Sequence, residues 1–315
     1  MSRNPASPSR IIGRFPANDA EPRLVVFAGV HGNEPSGVLA LQRVFKQLRT
    51  DRFALKGQLV GVLGNVMGLE QGVRYVKEDL NRLFLPSRIE PAKRAPEEQT
   101  YETLELLSIC DLVESLEART KGELFFLDCH TTSSPSIPFI SLNEGYPASL
   151  QLAQRIPVAA VIGAEKEIKG CLAEWLNKRG WTGFTYEAGQ HQADLSVDNQ
   201  EAVIWMALLH AGCIHEAQAP VYLKRAQDIL QQQGTQQQEV YRLQSAYRIR
   251  DDEVFQMEPG FRNLQFVRRG EHLATSDGRP VVAREDSYLL MPLYQPQGNF
   301  GFFLVRRAPH LANTR

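Results

Sequence analysis

RLVVFAGVHGNEPSG, residues 23–37, is the stretch on which the fold turns. Its first eight residues form a short apolar run, the pattern of a strand buried on both faces of a sheet. Residues 35–50 then place Val38, Leu41, Val44, Phe45 and Leu48 on one helical face and gather basic residues late, as suits a helix C-terminus. A buried strand feeding an amphipathic helix is half of a βα unit, and the alternation continues. Strands are predicted at 57–65, 123–130, 158–163 and 183–189, with helical segments at 96–120, 149–157, 171–180 and 199–214. Such alternation predicts an α/β fold with a mostly parallel sheet and helices on both faces.

The texture changes after Ile214. Residues 215–240 are rich in glutamine, with QQQGTQQQ a low-complexity segment expected to be exposed. From Tyr247 the chain breaks into short alternating runs, among them VFQMEPG, SDGRPVVA, SYLLMPLY and FGFFLVRR, which predict a small antiparallel β domain. The division expected is residues 1–215 as a catalytic domain and 216–315 as a helical, Gln-rich linker followed by a β-rich domain. Two domains also suit a length of 315 residues.

With 43% hydrophobic and 23% charged residues and a net charge of −1, the composition is that of a globular protein. Nothing in it calls for nucleic acid or an anionic membrane. The polar, proline-broken opening MSRNPASPSRIIGRFP lacks an apolar core, so it does not read as a secretory signal. No apolar run approaches the roughly 18 residues of a membrane span. Cys110, Cys129, Cys171 and Cys213 are scattered without metal or redox spacing, which suggests reduced core thiols and a cytoplasmic location. A homo-oligomer is allowed by the sequence.

Polar clusters stand at or just past the C-terminal ends of predicted strands, where the loops of open α/β sheets converge on ligands. His31 and Glu34 can aim an imidazole and a carboxylate at one point; the plain alternative is that Glu34 only stabilises the next helix through its dipole. His130 in DCHTT would complete a His₂Glu set that leaves a fourth zinc position for water, with Asp128 orienting a ligand. The loop at residues 72–82 carries Arg74, Asp79, Asn81 and Arg82, whose guanidinium forks suit a carboxylate-bearing substrate, unless it is merely a solvated charged loop. Glu187 in YEAG can serve as a general base or can cap the next segment.

The order HGNE, RYVKEDLNR, DCHTT, YEAG resembles the succinylglutamate desuccinylase/aspartoacylase family of zinc hydrolases, over residues 23 to about 215 and more loosely beyond. The resemblance implies a zinc carboxypeptidase-like fold, with a mixed, mainly parallel sheet flanked by helices and a smaller C-terminal all-β domain narrowing the site. It implies one zinc per chain held by His31, Glu34 and His130, with Glu187 as general base. Arg74, Asn81 and Arg82 would bind substrate, one arginine also polarising the scissile carbonyl. The activity implied is deacylation of a small carboxylate-bearing N-acyl amino acid, by cleavage of an amide or an ester; the rival is a zinc carboxypeptidase or amidase acting on short peptides. A non-enzymatic binding protein would require one of the four clusters to be broken, and none is. The segment after Glu187, GQHQADLS, departs from the pattern of either named activity. The C-terminal runs have the look of a lipoyl-like hairpin without the turn lysine, and Tyr294 either reaches the site or packs on that domain's core.

Overall fold

A computed structural model describes residues 10–95, 99–233 and 239–308. Strand β1 (Ile11–Phe15) is followed by β2 (Arg23–Ala28), whose residues are all buried. Alternate β2 side chains enter opposite layers: Leu24, Val26 and Ala28 pack in one apolar cluster, Val25 and Phe27 in another. That two-sided burial is why the run reads as continuously apolar rather than alternating. Helix α1 (Ser36–Thr50) returns over the first layer through Leu41, Val44, Phe45 and Leu48. There follow β3 (Gln58–Leu63), α2 (Val66–Gln71), α3 (Pro86–Arg94) and α4 (Tyr101–Arg119). Helix α4 starts at a reciprocal cap, in which Thr100 and Thr103 each accept from the other's backbone N–H. The chain continues with β4 (Leu124–Thr132), β5 (Phe139–Leu142), α5 (Pro147–Ala153), β6 (Ala159–Ile162), α6 (Leu172–Lys178), β7 (Thr182–Gln190) and α7 (Asp194–His210).

Helices α1, α5 and α7 thus cover one face of the sheet and α3, α4 and α6 the other. Strands β3, β2, β4 and β7 run parallel; β5 then pairs antiparallel with β7 and parallel with β6. The carboxyl ends of β2, β4 and β7 therefore open at one rim.

Beyond this come α8 (Pro220–Gln233), which packs on α7, and strands β8 (Val240–Arg248), β9 (Phe255–Met257), β10 (Gln265–Val267), β11 (His272–Ser276), β12 (Arg279–Val282), β13 (Ser287–Leu290) and β14 (Phe300–Arg307). The fold is the expected mixed α/β architecture with a C-terminal antiparallel region, and that region is joined to the rest edge to edge. Strand β8 pairs parallel with β6, so one sheet runs β1-β3-β2-β4-β7-β5-β6-β8-β14-β13-β10, with β12-β11-β9 as a separate sheet. Strands β1 and β5 were not predicted from the sequence. Of the Gln-rich segment, Gln231–Gln233 end α8 and residues 234–238 lie outside the described residues, as do residues 1–9 of the polar opening. Among the described residues no helix is long and apolar enough to cross a membrane.

Candidate active site

The loop leaving β2 is forced into a tight course by two glycines. Gly29 has φ +70°, and a Cβ on Gly32 would fall 1.9 Å from the carbonyl carbon of Gly68 in α2. Gly32 N–H also donates to the Arg74 carbonyl at 3.1 Å, so this contact sets the distance between the two polar loops. Gly32→Ala is expected to lower stability by about 1–3 kcal/mol, as overpacking against backbone does. It should also displace the Arg74 loop; a urea midpoint equal to that of the unmodified chain would contradict it.

His31, Glu34 and His130 meet at the rim, all buried. Glu34 Oε1 lies 2.9 Å from His31 Nδ1, and Oε2 lies 3.0 Å from His130 Nδ1 while accepting from the Thr131 N–H at 2.9 Å. Glu34 is therefore turned to the histidines, and α1 begins without a side-chain cap. The other ring nitrogens face carboxylates: His31 Nε2 is 3.0 Å from Asp79 Oδ1, and His130 Nε2 is 3.2 Å from Asp128 Oδ1. A carboxylate behind each imidazole is the arrangement that fixes the orientation of metal-binding histidines.

Glu187 lies within β7 rather than at a helix start, directly opposite His130 of β4 in register, so the two side chains share a face. Its Oε2 is buried and has no hydrogen-bond partner among the described residues. Asp79 caps the short turn Leu80–Arg82, accepting from the Asn81 N–H at 2.9 Å. It also accepts from Arg74 Nη2 at 3.0 Å and stands 3.9 Å from Arg82 Nη2. Asn81 is tied down by Leu172 N–H donating to its Oδ1 at 2.8 Å, and its Nδ2 sits 3.4 Å from His130 Nε2. The structure thus brings Arg74, Asn81 and Arg82 to the cavity that His31, Glu34, His130 and Glu187 line.

Burial alone would raise the Glu34 pKa, yet the charges and hydrogen bonds of His31 and His130 hold it well below the usual range. Asp79 is likewise depressed, burial being outweighed by Arg74 and His31. Burial and the neighbouring Glu34 and Asp128 carboxylates push Glu187 up to about 8 against the pull of His130 and Arg74. Between pH 4.5 and about 8 the folded, metal-free chain thus keeps a proton on Glu187 that the unfolded chain gives up. More protons bound in the folded state means stability falls as pH rises through that window and levels off above it. The urea midpoint of the metal-free chain should therefore fall relative to Glu187→Gln from pH 5 to pH 8. Parallel pH profiles for the two would refute the assignment.

The residues present fit a divalent metal: three buried donors of imidazole and carboxylate type lie within 4.8 Å of one another, beside an unpartnered carboxylate oxygen. His191, Asn33 and Gln295 were not picked out from the sequence. His191 Nδ1 is 2.7 Å from Thr131 Oγ1 and its Nε2 is 3.1 Å from Gln295 Oε1, which also accepts from Asn33 Nδ2 at 3.0 Å. The departure in GQHQ after Glu187 was the visible trace of His191; Gln295 left none. Tyr294 turns away, donating to the Glu258 carbonyl at 2.6 Å and packing on the C-terminal core.

A sequence profile of the succinylglutamate desuccinylase/aspartoacylase catalytic domain matches residues 20–211. Curated succinylglutamate desuccinylases from Photorhabdus laumondii and Burkholderia pseudomallei are 32% and 29% identical over 74 and 127 residues. Those alignments take in 24% and 39% of this chain and 23% and 36% of the relatives, so the chain spans about a third or less of the length of the curated relatives it matches. A solved structure of a succinylglutamate desuccinylase/aspartoacylase from Rhodobacter sphaeroides superposes with a TM-score of 0.67 at 18% identity, covering 93% of this chain and 87% of that one. At that identity the likeness speaks for the fold.

Proposed function

The chain belongs to the succinylglutamate desuccinylase/aspartoacylase family of deacylase hydrolases, and from that premise we propose that it is a zinc-dependent deacylase of small carboxylate-bearing N-acyl amino acids. The bond cleaved is the amide or a corresponding ester. The observation that supports this reading is the meeting of His31, Glu34 and His130 beside the unpartnered oxygen of Glu187.

His31, Glu34 and His130 would hold one zinc per chain. When bound, zinc supplies Lewis acidity that lowers the pKa of a coordinated water toward about 7 and polarises a carbonyl. Glu187 accepts a proton at its carboxylate as water attacks and passes it to the leaving nitrogen. Arg82, with Arg74 behind it, binds the substrate carboxylate, and Asn81 is fixed at the same edge. An arginine also stabilises the charge developing on the carbonyl oxygen. Asp79 and Asp128 hold the two imidazoles in orientation. The division of the chain near residue 215 and a cytoplasmic location belong to the same proposal, the first carrying the donors and the second part walling the cavity with Leu290, Leu293 and Gln295. The test is hydrolysis of N-acyl amino acids against short peptides by the zinc-loaded chain. Release of amino acid from the former is expected, and exclusive cleavage of peptides would replace this reading with the carboxypeptidase one.

A further inference from the structure

The cavity has two ends of opposite character. Its floor is the sheet face that carries His130 on β4 and Glu187 on β7. The next strand outward from β7 is β5, and there Phe139 stands directly opposite Glu187 in register. At that register the floor switches from a carboxylate and an imidazole to a fully buried phenyl ring, while Ser141 farther along β5 and Asn143 just beyond it keep a hydroxyl and an amide in the lining. Phe139 belongs to an apolar cluster with Leu290, Phe300 and Phe303, against which Ile168 and Met291 also pack, and all six line the cavity.

The charges are distributed to match. Among the described lining residues the only arginine or lysine side chains are Arg74 and Arg82. Both lean on Asp79, which also touches His31, so they belong to the polar end. Arg74 is already engaged by Asp79 at 3.0 Å and stands 3.7 Å from Glu34, which leaves Arg82 as the less neutralised cation. Three residues before Ile168 in the chain, Glu165 also lines the cavity, and its Oε2 is buried without a hydrogen-bond partner among the described residues. A second carboxylate at the apolar end would find no arginine or lysine among the described lining residues there, since nearby Lys166 is paired with Glu144 and Lys169 donates to the Glu165 carbonyl; burying such a charge unpaired is costly.

We propose that the cavity takes a monocarboxylate N-acyl amino acid whose acyl group is an apolar chain or ring seated against Phe139, Leu290, Phe300 and Phe303, and that it discriminates against dicarboxylic acyl groups such as succinyl. This rests on the deacylase reading for the reaction but not for the binding. The cavity runs without interruption from the polar end to these four side chains. Each methylene buried there strengthens binding by about fourfold.

The experiment uses N-acetylglycine, N-hexanoylglycine and N-succinylglycine. Binding is measured by calorimetry to the zinc-loaded Glu187→Gln variant, and hydrolysis by the zinc-loaded unmodified chain. N-hexanoylglycine is expected to bind on the order of 10²-fold more tightly than N-acetylglycine, with N-succinylglycine no tighter than N-acetylglycine. Ile168→Arg, which adds a cation to the apolar end at a half-buried position, should raise the N-succinylglycine to N-hexanoylglycine binding ratio at least about tenfold. Equal binding of the hexanoyl and succinyl compounds, or an unchanged ratio in Ile168→Arg, overturns the proposal. Chain-length-dependent binding with no hydrolysis of any compound would remove the deacylase reading and leave the apolar subsite standing. Hydrolysis indifferent to the acyl chain, with flat binding, would do the reverse.

Discussion

Glu187→Gln is expected to keep one zinc per chain and lose about 10²–10⁴-fold in kcat, the range in which a general base contributes. The carboxamide has the same shape as the carboxylate, so β7 and its register with β4 should survive. What disappears is the buried carboxylate oxygen, without a partner among the described residues, that stands on the strand position opposite His130. Glu34 cannot replace it: both of its oxygens are committed to His31, His130 and the Thr131 N–H. Asp79 cannot either, because Arg74, Asn81 and His31 occupy it. Elemental analysis and steady-state rates on the same preparation check the result, and full turnover by the variant would take Glu187 out of the mechanism.

The parts legible in the sequence were those written in consecutive residues. RLVVFAGV showed β2 because burial on both faces demands an unbroken apolar run. HGNE, DCHTT and YEAG were visible because each ends or follows such a strand, and the sheet carries all three to one rim. Strand β1, IIGRF, was hidden by its place between polar, proline-rich stretches, where only pairing with β3 makes it a strand. Strand β5 has four residues and no period long enough to read; its identity comes from β7 on one side and β6 on the other. The joining of β6 to β8 across the predicted boundary is a non-local backbone pairing that no composition records. Gln295 meets Asn33 across 262 positions of sequence, so the C-terminal wall of the cavity could be expected from resemblance but not located. Local chemistry was readable, and the contacts that enclose it were not.

His31→Ala and His130→Ala are each expected to lose bound zinc altogether, since either leaves two protein donors where three are needed to hold the ion against dialysis. The two variants are not redundant. His31 comes from the loop after β2 and His130 from the end of β4, so a shared loss cannot be traced to one displaced loop. The supporting carboxylates give a graded comparison: Asp128→Asn should retain the ion with affinity weakened by about 10–100-fold, because it removes the group 3.2 Å behind His130 Nε2 and no donor. Removing a donor must therefore cost more than removing its support, and that ordering is the physical content of calling His130 a ligand. Zinc content by elemental analysis after dialysis, with circular dichroism to confirm folding, reads the difference directly. One zinc per chain persisting in both histidine variants would place the metal elsewhere and sink the whole donor set, whereas loss in Asp128→Asn equal to that in His130→Ala would make Asp128 itself a ligand.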